Sequence, residues 1–495
     1  MKDFSSYLNE IEEIGYVEQV ADAIIYATGL PNVKPEEIVI FETGDFGQVF
    51  SIEPELVEIL IFSKNSIKPG TRLTRTNEIL KVPVGVELLG KVIDSLGNSI
   101  ESTKPSKSPT FTMPVNSLPQ GITKRKAITK TLETGVLIVD MAIPLGHGQR
   151  ELIVGDRKTG KTSFLTRTIL NQTRHGNICV YAAIGKKKLD VKKIEEFFQK
   201  QGVMEKMVIV ASGSEDATGL IHLTPYTAMT ISEFFRDQGK DVLLVLDDLS
   251  THAKFYRELS LLGRRFPGRN SYPSDIFYTH AKLMERAGNF ITDKGEASIT
   301  CLPVAETAQG DLSGYIETNL MSMTDGHLYF DKDLFYLGRR PAINPFLSVT
   351  RVGRQTQSNL RREINREIIS FLNLYEKMQS FIHFGAELNE NIRTTLLTGA
   401  RIIQFFSQYT NEVVPINLQI VLFAMLWENS WENKELIAIR EDMQRVILAY
   451  SSDKKIQQLV DTLVEQNDSF NKLLRMIKTQ GPQILLSAQK YGNKT

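Results

Sequence analysis

The sequence contains little cysteine, and its apolar stretches are short. Its two cysteines, Cys179 and Cys301, are too few for a disulfide framework or a zinc cluster. We therefore expect the protein to reside in a reducing cytosol. The longest uninterrupted apolar run, residues 420–427, falls far short of the ~18 residues of a membrane-spanning helix. The N-terminal segment is acidic and lacks the features of a secretory signal. We therefore expect neither a secreted, a membrane-spanning nor a disulfide-stapled protein.

The chain also lacks an excess of charge of either sign. It has 58 Lys and Arg against 58 Asp and Glu, whereas a protein that binds nucleic acid through its overall charge usually carries a basic excess. Residues 1–80 hold 14 acidic and only 6 basic side chains. We therefore expect no nucleic-acid partner. With 42% hydrophobic and 23% charged residues, the composition is typical of a globular chain.

Three segments of the chain differ in pattern. Residues 1–80 alternate short apolar runs with Gly, Asn and Pro turns, which indicates a small all-β domain. Residues 81–357 alternate apolar runs with longer amphipathic stretches, the pattern of buried parallel strands and helices in an α/β domain. Residues 358–495 contain four Gly and two Pro, and their apolar residues recur at helical spacing, which predicts a helical domain.

A glycine-rich segment of the α/β domain has the pattern Gly, four residues, Gly-Lys-Ser/Thr. A predicted strand at 151–154 precedes it, and a predicted helix at 164–171 follows. Backbone N–H groups of such a loop surround phosphates, and the helix N-terminus adds partial positive charge. We predict that Lys161 reaches the β- and γ-phosphates of ATP or ADP and that the Thr162 hydroxyl binds Mg²⁺. The predicted nucleotide-binding residues of this loop are Gly155, Asp156, Arg157, Lys158, Thr159, Gly160, Lys161, Thr162 and Ser163.

A second predicted magnesium ligand follows a later strand. The apolar run 242–246 ends in Asp247 and Asp248, and a carboxylate at the end of a parallel strand is the usual partner of a phosphate loop. We predict that Asp247 binds Mg²⁺ directly or through water. The alternative is that an acid at this position caps a helix.

The carboxylate that would activate water for hydrolysis is missing from its expected place. It belongs just beyond a strand next to the phosphate loop, but the candidate strand at 178–183 runs into Lys186, Lys187 and Lys188 before Asp190. A charged lysine cannot accept a proton. We therefore predict that the chain binds ATP tightly and hydrolyses it slowly or not at all. The alternative for the lysines, a solvated surface, supplies no base either.

Beyond these motifs, the chain resembles the alpha (non-catalytic) subunit of the F-type ATP synthase head. The matching segments are 15–18, 82–98, 148–157, 235–237, 247–250, 267–269, 272–278, 340–344 and 348–353. The resemblance implies an N-terminal β-barrel, an α/β RecA-like nucleotide domain with a largely parallel sheet, and a C-terminal all-α domain. It also implies a hetero-hexamer with catalytic beta-type chains around a coiled-coil gamma-type rotor, peripheral on the cytoplasmic side of a membrane, in ATP synthesis or hydrolysis coupled to hydrogen ion transport.

The resemblance assigns roles to residues that are unremarkable by themselves. It implies that Arg351 reaches across an interface to the γ-phosphate in a beta-type chain, where an arginine stabilises the transferring phosphoryl group. Ser322 matches a position that lines the same interface. Around the base of ATP, the matching positions are Phe335, Arg340, Pro341 and Gln408.

The sequence departs from the family pattern at four places. Where the family has a Gln-Gly-Gln run in the base site, this chain has Phe406-Ser407-Gln408, so only Gln408 carries over. Lys158 and Lys186 stand where the family commonly has glutamine, and we expect their charge to favour anion binding and to disfavour catalysis. Only 14 residues precede Gly15, where the family usually has a longer helix-forming segment that grips the peripheral stalk. We therefore assign no stator partner.

Three other functions are open at this point. An alpha-like chain of a specialised rotary ATPase, not coupled to proton translocation, is slightly favoured by the lysines and the short N-terminal segment. A self-sufficient RecA-like hexameric motor would need its own catalytic acid. A regulatory ATP-binding module would lack a beta-type partner altogether.

Overall fold

The computed structural model describes residues 2–63, 67–100, 109–383, 390–409, 412–432 and 434–491. The chain divides into two compact units. The first unit comprises residues 1–127, 173–307 and 311–324, and the second comprises residues 128–172, 308–310 and 325–495.

Within the described residues, every strand lies before residue 351, and the regular structure that follows is helical. The strands are β1 (Gly15–Ala21), β2 (Ile24–Thr28), β3 (Glu37–Phe41), β4 (Phe46–Ile52), β5 (Val57–Ile61), β6 (Arg72–Ile79), β7 (Lys81–Val84), β8 (Lys91–Ile93), β9 (Phe111–Pro114), β10 (Thr131–Leu132), β11 (Leu145–Gly146), β12 (Glu151–Gly155), β13 (Ile178–Lys186), β14 (Met207–Gly213), β15 (Val242–Asp247), β16 (Gly288–Thr292), β17 (Gly295–Glu306), β18 (Gly326–Phe330) and β19 (Val349–Thr350). The α-helices are α1 (Phe4–Ile11), α2 (Leu137–Ala142), α3 (Lys161–Arg174), α4 (Lys188–Lys200), α5 (Thr218–Asp237), α6 (Leu249–Leu262), α7 (Ile276–Met284), α8 (Tyr315–Met323), α9 (Lys332–Tyr336), α10 (Asn359–His383), α11 (Glu390–Phe406), α12 (Ile416–Trp427), α13 (Leu436–Ser452), α14 (Lys454–Glu465) and α15 (Phe470–Ala488).

The first unit begins with a closed antiparallel barrel in the order β1-β2-β5-β4-β3-β6. Pairing of β1 with β6 closes it, so these strands leave no free edge. Alternate residues of a strand face the same side, and every strand contributes apolar side chains to the interior, among them Val17, Ile25, Val39, Val49, Ile59 and Leu73. The β-barrel that the resemblance implied is confirmed.

The first unit also contains five parallel strands in the order β8-β14-β13-β15-β17, with β16 antiparallel to β17. Helix α5 packs against β13, β14 and β15, and the apolar residues of these strands are buried, as expected for parallel strands covered by helices. Parallel strands end at a common edge. Ala183 on β13 therefore lies opposite Asp247, the last residue of β15.

In the second unit, β12 pairs parallel with β18, and β19 pairs antiparallel with β18. Helix α3 follows β12 after a short loop. The helix begins at Lys161, three residues before the predicted start, because the lysine and threonine that close the loop already belong to its first turn.

The helical part of the second unit surrounds α12. Residues 418–426 of this helix are buried without interruption, because α11, α13, α14 and α15 all pack against it. A helix that is apolar on every side belongs in such a position. The described part of the chain holds no helix with the length and apolar character needed to cross a membrane.

The predicted fold class is confirmed: a barrel, an α/β core and a helical C-terminal part. The domain boundaries at residues 80 and 357 stay predictions.

Candidate functional site

The predicted phosphate loop joins β12 to α3 in the second unit. At Gly155 (φ 154°), a Cβ atom would lie 2.4 Å from the carbonyl oxygen of Phe330 on the paired strand. At Gly160 the backbone has φ 99°. Both positions therefore favour glycine. Lys158 adopts φ 63° although it lacks the conformational freedom of glycine. Its side chain is exposed, as are those of Arg157 and Thr162.

Hydrogen bonds inside the loop hold Lys161 in a nearly buried position. Its Nζ donates to the carbonyl oxygens of Gly155 (2.6 Å) and Asp156 (2.8 Å). Thr159 Oγ1 donates to the Asp156 carbonyl at 2.7 Å, and the Asp156 carboxylate accepts from the N–H of Gly310 at 2.8 Å. These hydrogen bonds hold the loop in its shape. Its lysine lies beside the first turn of α3, where the helix dipole attracts anions.

The second unit also contains a small cleft. Its volume is about 150 Å³. Its lining is largely apolar with a few polar groups: Ile138, Leu337, Gly338, Arg339, Arg340, Pro341, Ile343, Pro345, Leu372, Ile403, Gln404, Phe406 and Ser407.

Three of the four predicted base-site residues are grouped at this cleft. Arg340 and Pro341 line it, and the ring of Phe335 lies 3.6 Å from the Arg340 guanidinium carbon. The guanidinium also donates to the Phe335 carbonyl at 2.8 Å. Phe335 therefore orients Arg340 instead of lining the cleft itself.

Gln408 is buried beside the cleft and binds the main chain. Its Oε1 accepts from the N–H of Leu137 at 2.9 Å, and its Nε2 donates to the carbonyl of Gly135 at 3.0 Å. Its own N–H donates to the Arg340 carbonyl at 2.8 Å. The residue thus connects three segments of the second unit, and its contact with a base stays a prediction. Gln404 and Ser407 also line the cleft, although no sequence pattern assigned either of them to the base site.

Arg351 directly follows β19 and is exposed. Its N–H donates to the carbonyl of Asp325 at 3.0 Å. The Asp325 carboxylate accepts two hydrogen bonds from the Arg150 guanidinium, at 2.8 and 3.1 Å. Thr350, on the other side of Arg351's peptide bond, donates its hydroxyl to the Pro144 carbonyl at 2.9 Å. The backbone is therefore held at Arg351 itself and at Thr350, while the Arg351 side chain is exposed.

Ser322 lies in the last turn of α8, in the first unit. Its side chain is exposed, and its hydroxyl donates to the carbonyl of Asn319 in the same helix at 2.7 Å. Its role at an interface stays a prediction.

The predicted metal ligand Asp247 belongs to a buried charged cluster in the first unit. Lys186 Nζ lies 2.7 Å from Asp247 Oδ1 and 3.5 Å from Asp248 Oδ2. The hydroxyl of Tyr181 donates to Asp247 Oδ2. Asp248 caps α6 by accepting from the N–H of Thr251 at 2.6 Å. Helix capping, the alternative considered for these acids, thus applies to Asp248.

The pKa shifts in this cluster follow from burial and charge. Burial acts to lower the pKa of Lys186, but the charges of Asp247 and Asp248 outweigh it, so the pKa is raised. Burial raises the pKa of Asp248, and Lys186 opposes that rise. Burial and the charge of Asp247 hold the pKa of Tyr181 well above its ordinary value. Lys186 and Tyr181 therefore both remain proton donors.

This donor set does not fit a magnesium ion bound directly by Asp247. Mg²⁺ needs oxygen lone pairs at about 2.0–2.1 Å in an octahedral shell. Both carboxylate oxygens of Asp247 already accept from side chains of the same unit, and one of the donors carries a positive charge. Sequence reasoning missed Tyr181. A tyrosine in an otherwise aliphatic buried strand was the available signal, because its hydroxyl needs a partner.

Comparison with known proteins matches two segments of the chain to one family. Residues 135–350 match the ATP synthase alpha/beta family, nucleotide-binding domain, and residues 357–481 match the ATP synthase alpha/beta chain, C terminal domain. The protein named ATP synthase subunit alpha of Aquifex aeolicus (strain VF5) is 38% identical over 485 residues, which cover 95% of this chain and 96% of the relative. The proteins of the same name from Ehrlichia ruminantium (strain Gardel) and Neorickettsia sennetsu are 41% and 40% identical, over 83% and 89% of this chain and 83% and 88% of their own lengths.

Proposed function

This chain belongs to the ATP synthase alpha/beta family as an alpha-type member, and from that premise we propose that it holds ATP or ADP without hydrolysing it and supplies Arg351 to the catalytic site of a beta-type chain. The proposal includes an alternating hetero-hexamer around a gamma-type rotor, peripheral at the cytoplasmic side of a membrane.

The geometry of the phosphate loop carries the nucleotide-binding part of the proposal. Lys161 is held against two loop carbonyls at the N-terminus of α3. A phosphate oxygen is a stronger acceptor than a carbonyl, because it is charged. The lysine can therefore exchange its acceptors for phosphate oxygens while the loop N–H groups and the helix dipole bind the remaining charge. We assign the base to the cleft that Arg340 and Pro341 line together with apolar side chains.

The region after β13 supports a non-hydrolysing role. Hydrolysis needs a group that orients and deprotonates water. Lys186 at the end of β13 donates to Asp247, and Lys187 and Lys188 are exposed. Asp190 lies exposed in the first turn of α4. None of the three lysines can accept a proton in its charged form.

The exposed position of Arg351 supports its role in a neighbouring site. A side chain that acts in trans must be presented at the surface on a backbone that does not move. The ion pair of Arg150 with Asp325 and the hydrogen bond of Thr350 provide that backbone. An arginine from a neighbour stabilises the charge that develops on the transferring phosphoryl group.

The test is the Mg-ATPase activity of this chain co-purified with its beta-type partner. Arginine fingers contribute about 10³–10⁵ in rate, so we expect Arg351→Ala to lower kcat by roughly that factor. Arg354→Ala is the matched control, because it removes an exposed arginine three residues away. A kcat for Arg351→Ala close to that of the control would show that the partner's site is self-contained.

The isolated chain provides the second arm of the test. We expect it to bind ATP and to show no turnover at the rate of the assembled complex. Turnover at that rate by the chain alone would contradict the non-catalytic assignment and favour a self-sufficient motor.

A further inference from the structure

We propose that Glu151 is a positioning residue for Arg351. Glu151 lies at the buried start of β12 and acts through two further side chains, those of Gln149 and Thr350. The inference rests on the proposed role of Arg351 in the site of a beta-type chain, and it names what holds the arginine in place. All four residues belong to the second unit.

A continuous line of hydrogen bonds leads from Glu151 to the residue before Arg351. The side-chain amide of Gln149 donates from Nε2 to Glu151 Oε2 at 2.6 Å and to Thr350 Oγ1 at 3.2 Å. Its Oε1 accepts from the N–H of Gly146 at 2.9 Å. Both hydrogens and the oxygen of this amide therefore have partners, which fixes its orientation.

Thr350 connects this amide to the backbone on both sides of Arg351. It ends β19, and its hydroxyl accepts from the N–H of Gly353 at 3.1 Å, two residues after the arginine. The same hydroxyl donates to the carbonyl of Pro144 at 2.9 Å. The place of the Thr350 hydroxyl therefore sets the backbone path at Arg351.

Burial makes the contact between Glu151 and Gln149 necessary. Both residues are 0% exposed, so bulk water cannot replace a lost partner. Without the carboxyl group, one N–H of Gln149 would be left unsatisfied, which is costly in a buried place. The amide would turn toward another acceptor and withdraw from Thr350.

The carboxyl group of Glu151 acts here as a hydrogen-bond acceptor. Burial raises its pKa well above the ordinary value, and the hydrogen bond from Gln149 acts against that rise. A glutamine at this position is uncharged and offers an acceptor oxygen of the same reach. Glu151→Gln is therefore the conservative variant, and Glu151→Ala removes the acceptor.

The experiment measures the Mg-ATPase activity of the full chain co-purified with its beta-type partner. A misplacement by about 1 Å can cost about 10²-fold in rate, so we expect Glu151→Ala to lower kcat at least about tenfold. We expect KM to stay within about twofold, because Arg351 acts on the transition state. For Glu151→Gln we expect a kcat within about threefold of that of the natural chain.

The same substitution in an Arg351→Ala chain separates positioning from a general structural role. Once the positioned residue is gone, the positioning residue has nothing left to act through. We therefore expect Glu151→Ala to change the residual rate of that chain by less than about twofold, measured in single turnovers. A structural defect elsewhere lowers the rate in both chains.

Three results would overturn the inference while the proposed function stands on the loss in Arg351→Ala. They are a natural kcat in Glu151→Ala, an equal loss in Glu151→Gln, and an equal loss in the presence and absence of Arg351. If Arg351→Ala itself shows no loss, the proposed function fails and the inference fails with it.

Thr350→Val decides the matter if Glu151→Ala does not assemble with its partner. It removes the hydroxyl that Gln149 binds and keeps the branched shape of the side chain. We expect a kcat at least about tenfold lower, and an unchanged kcat would overturn the inference.

Discussion

Lys161 in the phosphate loop and Lys186 at the end of β13 both hold their ammonium groups against protein oxygens, but the oxygens differ in charge. Lys161 donates to two neutral carbonyls of its own loop. Lys186 donates to the carboxylate of Asp247, which lies 61 residues further along the chain. A carboxylate attracts an ammonium group more strongly than a neutral carbonyl does, because it carries the opposite charge.

This difference explains why one lysine suits ligand binding and the other does not. A carbonyl-bound ammonium group gains by moving to a phosphate, because it exchanges neutral acceptors for charged ones. A carboxylate-bound ammonium group has a charged partner already, and its departure would leave a buried carboxylate unpaired. Lys161 is therefore available to a nucleotide, whereas Lys186 belongs to the fold.

The largest effect that tests this comparison is on stability. Lys186→Ala leaves Asp247 buried without its cation, and breaking a buried ion pair costs about 3 kcal/mol. We expect urea unfolding to show a free energy of unfolding about 3 kcal/mol lower for Lys186→Ala than for the natural chain. For Lys187→Ala we expect the free energy of unfolding to stay within about 0.5 kcal/mol of that of the natural chain. The double variant Lys186→Ala with Asp247→Asn regains part of the loss, because it removes the unpaired charge. Equal effects of the two single alanine variants would contradict the distinction.

Lys161→Ala affects ligand binding more than stability. A hydrogen bond to a charged group contributes about 2 kcal/mol, so we expect the affinity for ATP to fall roughly 30-fold. In the folded chain the substitution removes a donor to two neutral loop carbonyls, so we expect the free energy of unfolding to fall by only about 1 kcal/mol. Calorimetric titration with ATP measures the change in affinity, and urea unfolding measures the change in stability. Lys187→Ala is the control in both measurements. A stability loss as large as that of Lys186→Ala would break the comparison.

A smaller effect on stability is expected from three buried histidines, which are basic groups with neutral partners. His252 Nδ1 lies 3.0 Å from His280 Nε2, and its Nε2 lies 3.1 Å from the His222 carbonyl. Burial lowers the pKa of His252 to about 4, and burial together with the neighbouring histidines lowers the pKa values of His222 and His280 well below their ordinary value. These histidines stay neutral in the folded chain, in contrast to Lys186.

The sign of the resulting pH dependence follows from proton binding. In the unfolded chain a histidine takes up its proton near pH 6.5, while folded His252 does so only near pH 4. Stability is therefore lost as the pH falls from about 6.5 to about 4, with His252 alone contributing about 1 kcal/mol between pH 7.5 and pH 5.5. Urea unfolding at these two pH values measures the loss. We expect His252→Gln to reduce the slope and the exposed control His175→Gln to leave it unchanged.

Local patterns predicted the parts of the site that one segment builds by itself. The phosphate loop follows from residues adjacent in sequence, because the positive φ of Gly160 and the start of α3 need no distant partner. The parallel strands followed from their apolar runs, because strands covered on both faces admit few polar residues.

Contacts between distant segments could not be predicted in this way. Gln408 matched a base-site position, yet its amide binds Gly135 and Leu137, more than 270 residues earlier in the chain. In the sequence, Lys186 is one of three successive lysines. Only the pairing of β13 with β15 distinguishes it from the two lysines that follow.

The sequence by itself therefore determined the fold class, the turn between β12 and α3 and the run of lysines at the end of β13, since each depends on local residue order and composition. The tertiary structure decided which charges are balanced internally and which face solvent. The physical reason is that the energy of a charge depends on its burial and on the sign of its neighbours. In this chain strand pairing places those neighbours, and for that reason Lys186 and Lys187, adjacent in sequence, have opposite environments.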